Sequence, residues 1–101
     1  MLQKQNNWRN KKYLKWVKEQ PSVISGAPAD DSHHIMGHGL TGGTKAPDWA
    51  VIPLTRQEHS LFHFMPMMEW EAEHGSQLDY LFKFWRDNFE EIQGFLSAES
   101  E

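Results

Sequence analysis

The sequence predicts an α+β fold in which helices flank one short pair of strands. Two brief runs of strand length, HHIM at 33–36 and WAVIPL at 49–54, lie on either side of the glycine-rich loop GHGLTGGTKAPD. Helix signals occupy both flanks of this region. The 101 residues suit a single domain over 1–101. Within it we expect a basic N-terminal helix in 1–20, a strand–strand–helix core over 22–65 and C-terminal helices over 66–97.

Capping residues and helix breakers predict where the first two helices begin and end. Asn6 or Asn7 can cap the N-terminal helix, and Pro21 is expected to end it. Thr55 is followed three positions later by Glu58, which is the spacing of a capping box. A helix should therefore begin directly after the strand WAVIPL.

The C-terminal region reads as one helix followed by a longer one. Pro66 interrupts the helix that begins at Thr55, Gly75 marks the next stop, and Ser76 can cap the last helix. Apolar residues then recur at steps of three and four, which predicts one continuous helix with a buried face. The residues of this face are Leu78, Leu81, Phe82, Trp85, Phe89, Ile92 and Leu96.

Composition and charge limit the possible functions. Cysteine is absent, so a metal ion could be bound only by His, Asp or Glu side chains. The formal net charge of −4 argues against a nucleic-acid partner, but six of the ten basic residues lie in the first 18 positions and nine of the fourteen acids follow residue 68. No apolar run reaches the length of a membrane span, and the N-terminus is polar and basic. We therefore expect a cytoplasmic protein with no membrane partner.

The histidines form the pattern with the most chemical content. His59 and His63 are four residues apart on the expected helix, which places both imidazoles on one face. A third ligand from the adjacent pair His33–His34 would complete a half-open metal site. Because side chains alternate along a strand, the second histidine of that pair would be left to act as a base. Three imidazoles favour Zn, Ni, Co or Mn, although substrate oxygens in the open positions also permit Mg.

The histidines belong to a longer stretch of sequence that resembles a known protein family. The stretch HHIMGHGLTGGTKAPDWAVIPLTRQEHSLFH, continued by EHGSQLDYLFKFWRDNFEE, resembles phage and prophage proteins with an HNH nuclease domain, including the recombination-enhancement type. The likeness spans about residues 15 to 95. It implies the ββα-metal fold, one divalent ion bound by His33, His59 and His63, and His34 as the general base. It also implies DNA cleavage in a bacterial host cell, with recombination proteins of phage or host as further partners.

The sequence departs from this family at two places. Many relatives bind a structural zinc through two pairs of cysteines, where this chain has Ser22, Ser25, Thr55 and Glu58. We therefore expect no zinc knuckle and a hairpin held by packing. The middle Asn of the HNH pattern, which orients the catalytic His, is also missing, because Ala50 stands at that spacing. Asp48 is the residue that we expect to take over this role.

Several basic residues are candidates for contact with DNA phosphates: Lys45, Arg56, His38, Lys11, Lys12 and Lys15. For Arg56 the alternative is a surface ion pair with Glu58 or Asp48, and for the lysines it is a solvated helix face. Two other functions stay open. The chain could be a decayed nuclease that retains only DNA binding or assembly, or it could hold a closed structural metal with His38 as the fourth ligand.

Overall fold

A computed structural model of the chain describes residues 8–36 and 46–97. In these ranges the fold is α+β, as predicted, with five helices and two strands. The elements are α1 (Lys11–Val17), β1 (Asp31–His34), β2 (Val51–Leu54), α2 (Arg56–Phe64), α3 (Met67–His74), α4 (Gln77–Asp87) and α5 (Phe89–Ser97). No helix in the described ranges has the length and apolarity needed to span a bilayer. His38 and Lys45 lie outside the described residues.

The two strands form an antiparallel pair directly before α2. His33 lies opposite Ile52, and His34 lies opposite Val51. The first strand starts at Asp31 rather than at His33, so the expected strand HHIM was placed two residues too late. The N–H of Ile35 still donates to the carbonyl of Ala50 at 3.0 Å, which extends the pairing beyond the strand itself. The strand pairing therefore brings the histidine pair beside the strand that leads into α2.

The N-terminal helix is shorter than predicted and has a different cap. Asn10, and not Asn6 or Asn7, is the N-cap, since its Oδ1 accepts the N–H of Tyr13 at 2.9 Å. The helix ends at Val17, before Pro21. Tyr13 and Val17 are buried against the rest of the protein, while Lys11, Lys12 and Lys15 are exposed. The lysines therefore line the solvent side of α1.

The capping predictions for the later helices are confirmed. Thr55 and Glu58 form a reciprocal capping box at the start of α2. Pro66 precedes α3, which ends at Gly75, and the φ of 110° at this glycine is strained for any side chain. Ser76 Oγ then accepts the N–H groups of Leu78 and Asp79 and caps α4.

The prediction of one continuous last helix was wrong. Asn88 (φ −127°, ψ 29°) separates α4 from α5, and its side-chain amide donates to the carbonyl of Phe84 at 3.0 Å. Phe84 is buried, whereas Phe82 and Phe89 are 60% and 59% exposed. The apolar residues of the predicted face are therefore not all buried together. Leu81 and Ile92 are the members of the predicted face that are fully buried.

The core lies between the sheet and the helices that follow and precede it. Ile52 and Leu54 of β2 pack with Leu81 of α4, and Val51 packs with Tyr13 of α1 and Phe84 of α4. All four residues of β2 are buried, which explains a continuous apolar run in place of alternation. This buried strand is the base on which β1 and α2 hold the histidines.

Candidate active site

Helix α2 presents two histidines one turn apart. The capping box at Thr55 fixes where the helix starts, and the helical repeat places His59 and His63 on one face. The rings of His59 and His63 lie 4.9 Å apart, and their Nε2 atoms are separated by 3.2 Å. His59 is partly buried and His63 is exposed, so this pair of nitrogens lies at the surface, where solvent and substrate can reach it.

His33 completes the cluster from β1. Its ring lies 4.9 Å from that of His59 and 4.6 Å from that of Phe62, and the residue is 2% exposed. Burial lowers the pKa of His33 to about 4, and the nearby imidazoles add to this effect. His33 is therefore neutral at physiological pH, which is the form that binds a metal ion. Its Nε2 lies 2.9 Å from Oε1 of Gln77.

Asp31 is a member of the site that the sequence analysis missed. Its Oδ2 accepts from Nδ1 of His59 at 3.1 Å, and both carboxylate oxygens accept from the guanidinium of Arg56 at 3.0 Å. The hydrogen bond from Arg56 is the main reason that the pKa of Asp31 lies below its usual value. The alternation of side chains along a strand could have identified Asp31, because Asp31 and His33 are two positions apart and so share one face of β1.

The histidine cluster fits a divalent ion in two respects. Two imidazole nitrogens that bind Zn²⁺ tetrahedrally stand about 3.3 Å apart, close to the 3.2 Å between Nε2 of His59 and Nε2 of His63. Because the carboxylate of Asp31 accepts the hydrogen on Nδ1 of His59, Nε2 of His59 is the nitrogen with the lone pair. Carboxylates commonly orient metal-bound imidazoles in this way. Among residues 8–36 and 46–97, no three His, Asp or Glu side chains are already arranged to hold a metal ion together.

His34 lies on the other face of β1 and interacts with Asp48. The Nε2–H of His34 donates to Oδ1 of Asp48 at 2.8 Å. Oδ2 of the same carboxylate accepts the N–H of Asn10 at 2.9 Å, and Arg9 Nη1 lies 3.7 Å from Oδ1. Asp48 is 2% exposed, while the side chain of His34 is 18% exposed. The structure thus brings together the two residues for which the sequence predicted catalytic roles.

The basic residues expected to contact DNA differ in their surroundings. Arg56 forms a bidentate pair with Asp31, rather than with Glu58 or Asp48 as the alternative proposed. Lys11 and Lys12 directly follow Asn10, whose N–H binds Asp48, so α1 starts beside the His34–Asp48 pair. Lys15 lies one turn further along the exposed side of this helix. His38 and Lys45 cannot be placed, since they lie outside the described residues.

Four positions that the resemblance to HNH proteins aligns with knuckle cysteines meet in space and are joined by hydrogen bonds; they are Ser22, Ser25, Thr55 and Glu58. Oε1 of Glu58 accepts from Ser22 Oγ at 2.6 Å and from the N–H of Thr55 at 2.8 Å. Ser22 Oγ in turn accepts the N–H of Ser25 at 3.3 Å. Burial alone would raise the pKa of Glu58, but these hydrogen bonds outweigh it and lower the pKa. The expectation that packing alone holds the hairpin was therefore incomplete.

We expect the substitution Ser22→Ala to lower the free energy of unfolding by about 1 to 3 kcal/mol, because it removes a hydrogen bond to a charged, partly buried carboxylate. Urea unfolding followed by tryptophan fluorescence measures this difference. Ser60→Ala is the matched control, since Ser60 is exposed on α2. Equal stability of the two variants would show that the Ser22–Glu58 contact adds nothing to the fold.

Comparison of the sequence with known proteins identifies a family that has no assigned function. The family model described as "Protein of unknown function (DUF968)" matches residues 1–91. The uncharacterized protein YdfU of Escherichia coli (strain K12) is 46% identical over 84 residues, which is 82% of this chain and 24% of that protein. The chain thus spans about a quarter of the length of this curated relative. No solved structure matches the chain.

Proposed function

This chain belongs to the DUF968 family, whose function is unknown, and we propose that it is a metal-dependent DNA endonuclease of the HNH type. The observation that carries the proposal is the 3.2 Å approach of Nε2 of His59 to Nε2 of His63 beside the ring of His33. The element order β1, β2, α2 is also that of a ββα-metal core. The proposed setting is the cytoplasm of a bacterial host, in phage recombination or DNA processing, and it rests on the sequence resemblance.

The proposed metal ligands are His33 on β1 and His59 and His63 on α2. A divalent ion held there would supply positive charge against the negative charge that develops on the phosphate during hydrolysis. Asp31 keeps the ring of His59 oriented through Nδ1. Since these side chains provide three donors, positions would remain for water and for a phosphate oxygen.

His34 is the proposed general base. Because its Nε2–H donates to Asp48, Nδ1 is the nitrogen with a lone pair that can take a proton from water. The resulting imidazolium is stabilised by the buried carboxylate of Asp48 at 2.8 Å. The hydroxide formed attacks phosphorus, the bond to the 3′ oxygen breaks, and the departing oxygen takes a proton from solvent.

DNA is the proposed substrate because α1, which carries exposed lysines, begins beside the His34–Asp48 pair. Lys11 and Lys12 follow the N-cap Asn10, which binds Asp48, and Lys15 continues the basic side of α1. Lysines in such an array neutralise backbone phosphates, and binding through them falls steeply with salt. Arg56 is proposed to contact the cleaved strand while it remains paired with Asp31.

The test is cleavage of supercoiled plasmid by the purified protein with Mg²⁺, Mn²⁺, Ni²⁺, Co²⁺ or Zn²⁺ in turn. We expect metal-dependent nicking that is lost in the substitution His34→Ala, since that variant lacks the base. His74→Ala is the matched control, because His74 lies at the end of α3, its ring packs on Trp70, and it is neither a proposed ligand nor the proposed base. Its activity should equal that of the unmodified protein.

Failure to cleave with every ion, in a protein that binds DNA, would support the alternative of a decayed DNA-binding or assembly module. The enzyme is favoured over this alternative because the three proposed metal ligands and the proposed base are all present. The contact of His34 with Asp48 at 2.8 Å adds to this, since a binding module has no need of it. A closed structural metal would instead be indicated by an ion that His34 or His38 also binds.

A further inference from the structure

We propose that Gln77 is a positioning residue that holds the proton of His33 on Nε2 and so makes Nδ1 the metal-binding nitrogen. This inference rests on the proposed function, because it concerns the same histidine cluster. Gln77 is the first residue of α4 and is fully buried. It stands 44 positions from His33 in sequence, and its Oε1 lies 2.9 Å from Nε2 of that ring.

The orientation of the Gln77 amide is fixed by three other partners. Oε1 accepts the N–H of Met36 at 3.0 Å. Nε2 donates to the carbonyl of Met36 at 3.2 Å and to Oε2 of Glu71 at 3.3 Å. Exchanging the oxygen and nitrogen of this amide would place a donor against the N–H of Met36 and an acceptor against two oxygens. Only the orientation with oxygen toward His33 satisfies every group.

The position of the proton on His33 follows from the orientation of the Gln77 amide. Oε1 of Gln77 can only accept, so Nε2 of His33 must carry the hydrogen. A neutral imidazole has one protonated nitrogen, and the lone pair therefore lies on Nδ1. Since Nε2 carries the hydrogen, Nδ1 is the atom of His33 that is left to join Nε2 of His59 and Nε2 of His63 on one ion; the rings of His33 and His59 lie 4.9 Å apart.

Glu71 extends this arrangement into the C-terminal helices. Its Oε2 accepts both the backbone N–H of Gln77, at 2.9 Å, and the side-chain amide. The backbone N–H belongs to the first turn of α4, where amide groups have no partner within the helix. Glu71 on α3 thus anchors the residue that orients His33, and α3 and α4 become parts of the proposed metal site.

The test is the tautomer of His33, measured by long-range ¹H–¹⁵N correlation NMR on the labelled full chain without metal. The signal is assigned by its loss in the substitution His33→Gln. We expect the hydrogen on Nε2, and we expect one equivalent of Zn²⁺ to shift the Nδ1 resonance. A hydrogen on Nδ1, a zinc-induced shift at Nε2, or no shift of His33 at all would each overturn the proposal.

Two substitutions separate positioning from simple packing. Gln77→Leu removes the acceptor, so Nδ1–H and Nε2–H should both be populated and the affinity for Zn²⁺ should fall about 10- to 100-fold. Gln93→Leu, on the exposed side of α5, is the matched control. Unchanged tautomer and zinc affinity in a folded Gln77→Leu variant would contradict the assignment.

These measurements distinguish the positioning role from the nuclease. They use neither DNA nor cleavage, so a protein with the expected tautomer and zinc shift but no nuclease activity would refute only the proposed function. Conversely, a nuclease in which zinc binds Nε2 of His33 would refute only the role of Gln77. If Gln77→Leu does not fold, the tautomer of the unmodified protein still decides the question.

Discussion

Replacing Asp48 with asparagine is expected to lower the turnover of DNA cleavage by about 100- to 10,000-fold. Oδ2 of Asp48 accepts the N–H of Asn10, so the asparagine oxygen should take over that bond. Its amide nitrogen would then face Nε2 of His34, where Oδ1 now accepts a hydrogen. The proton of His34 would move to Nδ1, and the proposed base would lose its lone pair on that atom.

Single-turnover cleavage of plasmid at saturating Mn²⁺ measures this effect. The affinity for the ion should stay unchanged, because Asp48 contacts His34 and not the cluster of His33, His59 and His63. Asp87→Asn is the matched control, since Asp87 is exposed at the end of α4. Turnover within about threefold of the unmodified protein would remove Asp48 from the mechanism.

The sequence predicted the elements whose signals are local. The capping box of Thr55 and Glu58 depends on residues three positions apart, and so does the cap that Ser76 provides. The spacing of His59 and His63 is likewise a property of a single helix. Since such signals involve few residues and one element, tertiary contacts did not change their outcome.

The wrong predictions share a different cause, which is competition between similar local patterns. Asn6, Asn7 and Asn10 can all cap a helix, and the contact of the Asn10 N–H with Asp48, 38 positions away, belongs to the tertiary structure. The apolar period from Leu78 to Leu96 likewise continues through Asn88. The helix nevertheless breaks there, and Phe84 and Ile92, one on each side of the break, both belong to the buried cluster that contains Tyr13 of α1.

The missed residues of the site depend on contacts that are distant in sequence. Asp31 contacts a histidine 28 positions away, and Gln77 contacts one 44 positions away. Alternation along β1 could have placed Asp31 on the same face as His33. No local pattern points from Gln77 to His33, because the contact depends on where α3 and Gly75 direct the start of α4.

The second large effect is expected for His59→Ala, which should abolish stabilisation of the protein by divalent ions. An ion present at 100 times its dissociation constant stabilises the folded state by about 2.7 kcal/mol. Nε2 of His59 is half of the nitrogen pair separated by 3.2 Å. Without it, the affinity should fall at least about 100-fold, so the same ion concentration would add less than about 1 kcal/mol.

Thermal unfolding with EDTA, Zn²⁺ or Mn²⁺ measures this loss directly. In EDTA the variant should unfold within a few degrees of the unmodified protein, because His59 is partly exposed and its contact with Asp31 lies near the surface. His74→Ala, also a histidine on a helix, should keep the full ion-dependent increase in Tm. An equal increase in His59→Ala would mean that the ion binds elsewhere, and the proposed centre would have to be abandoned.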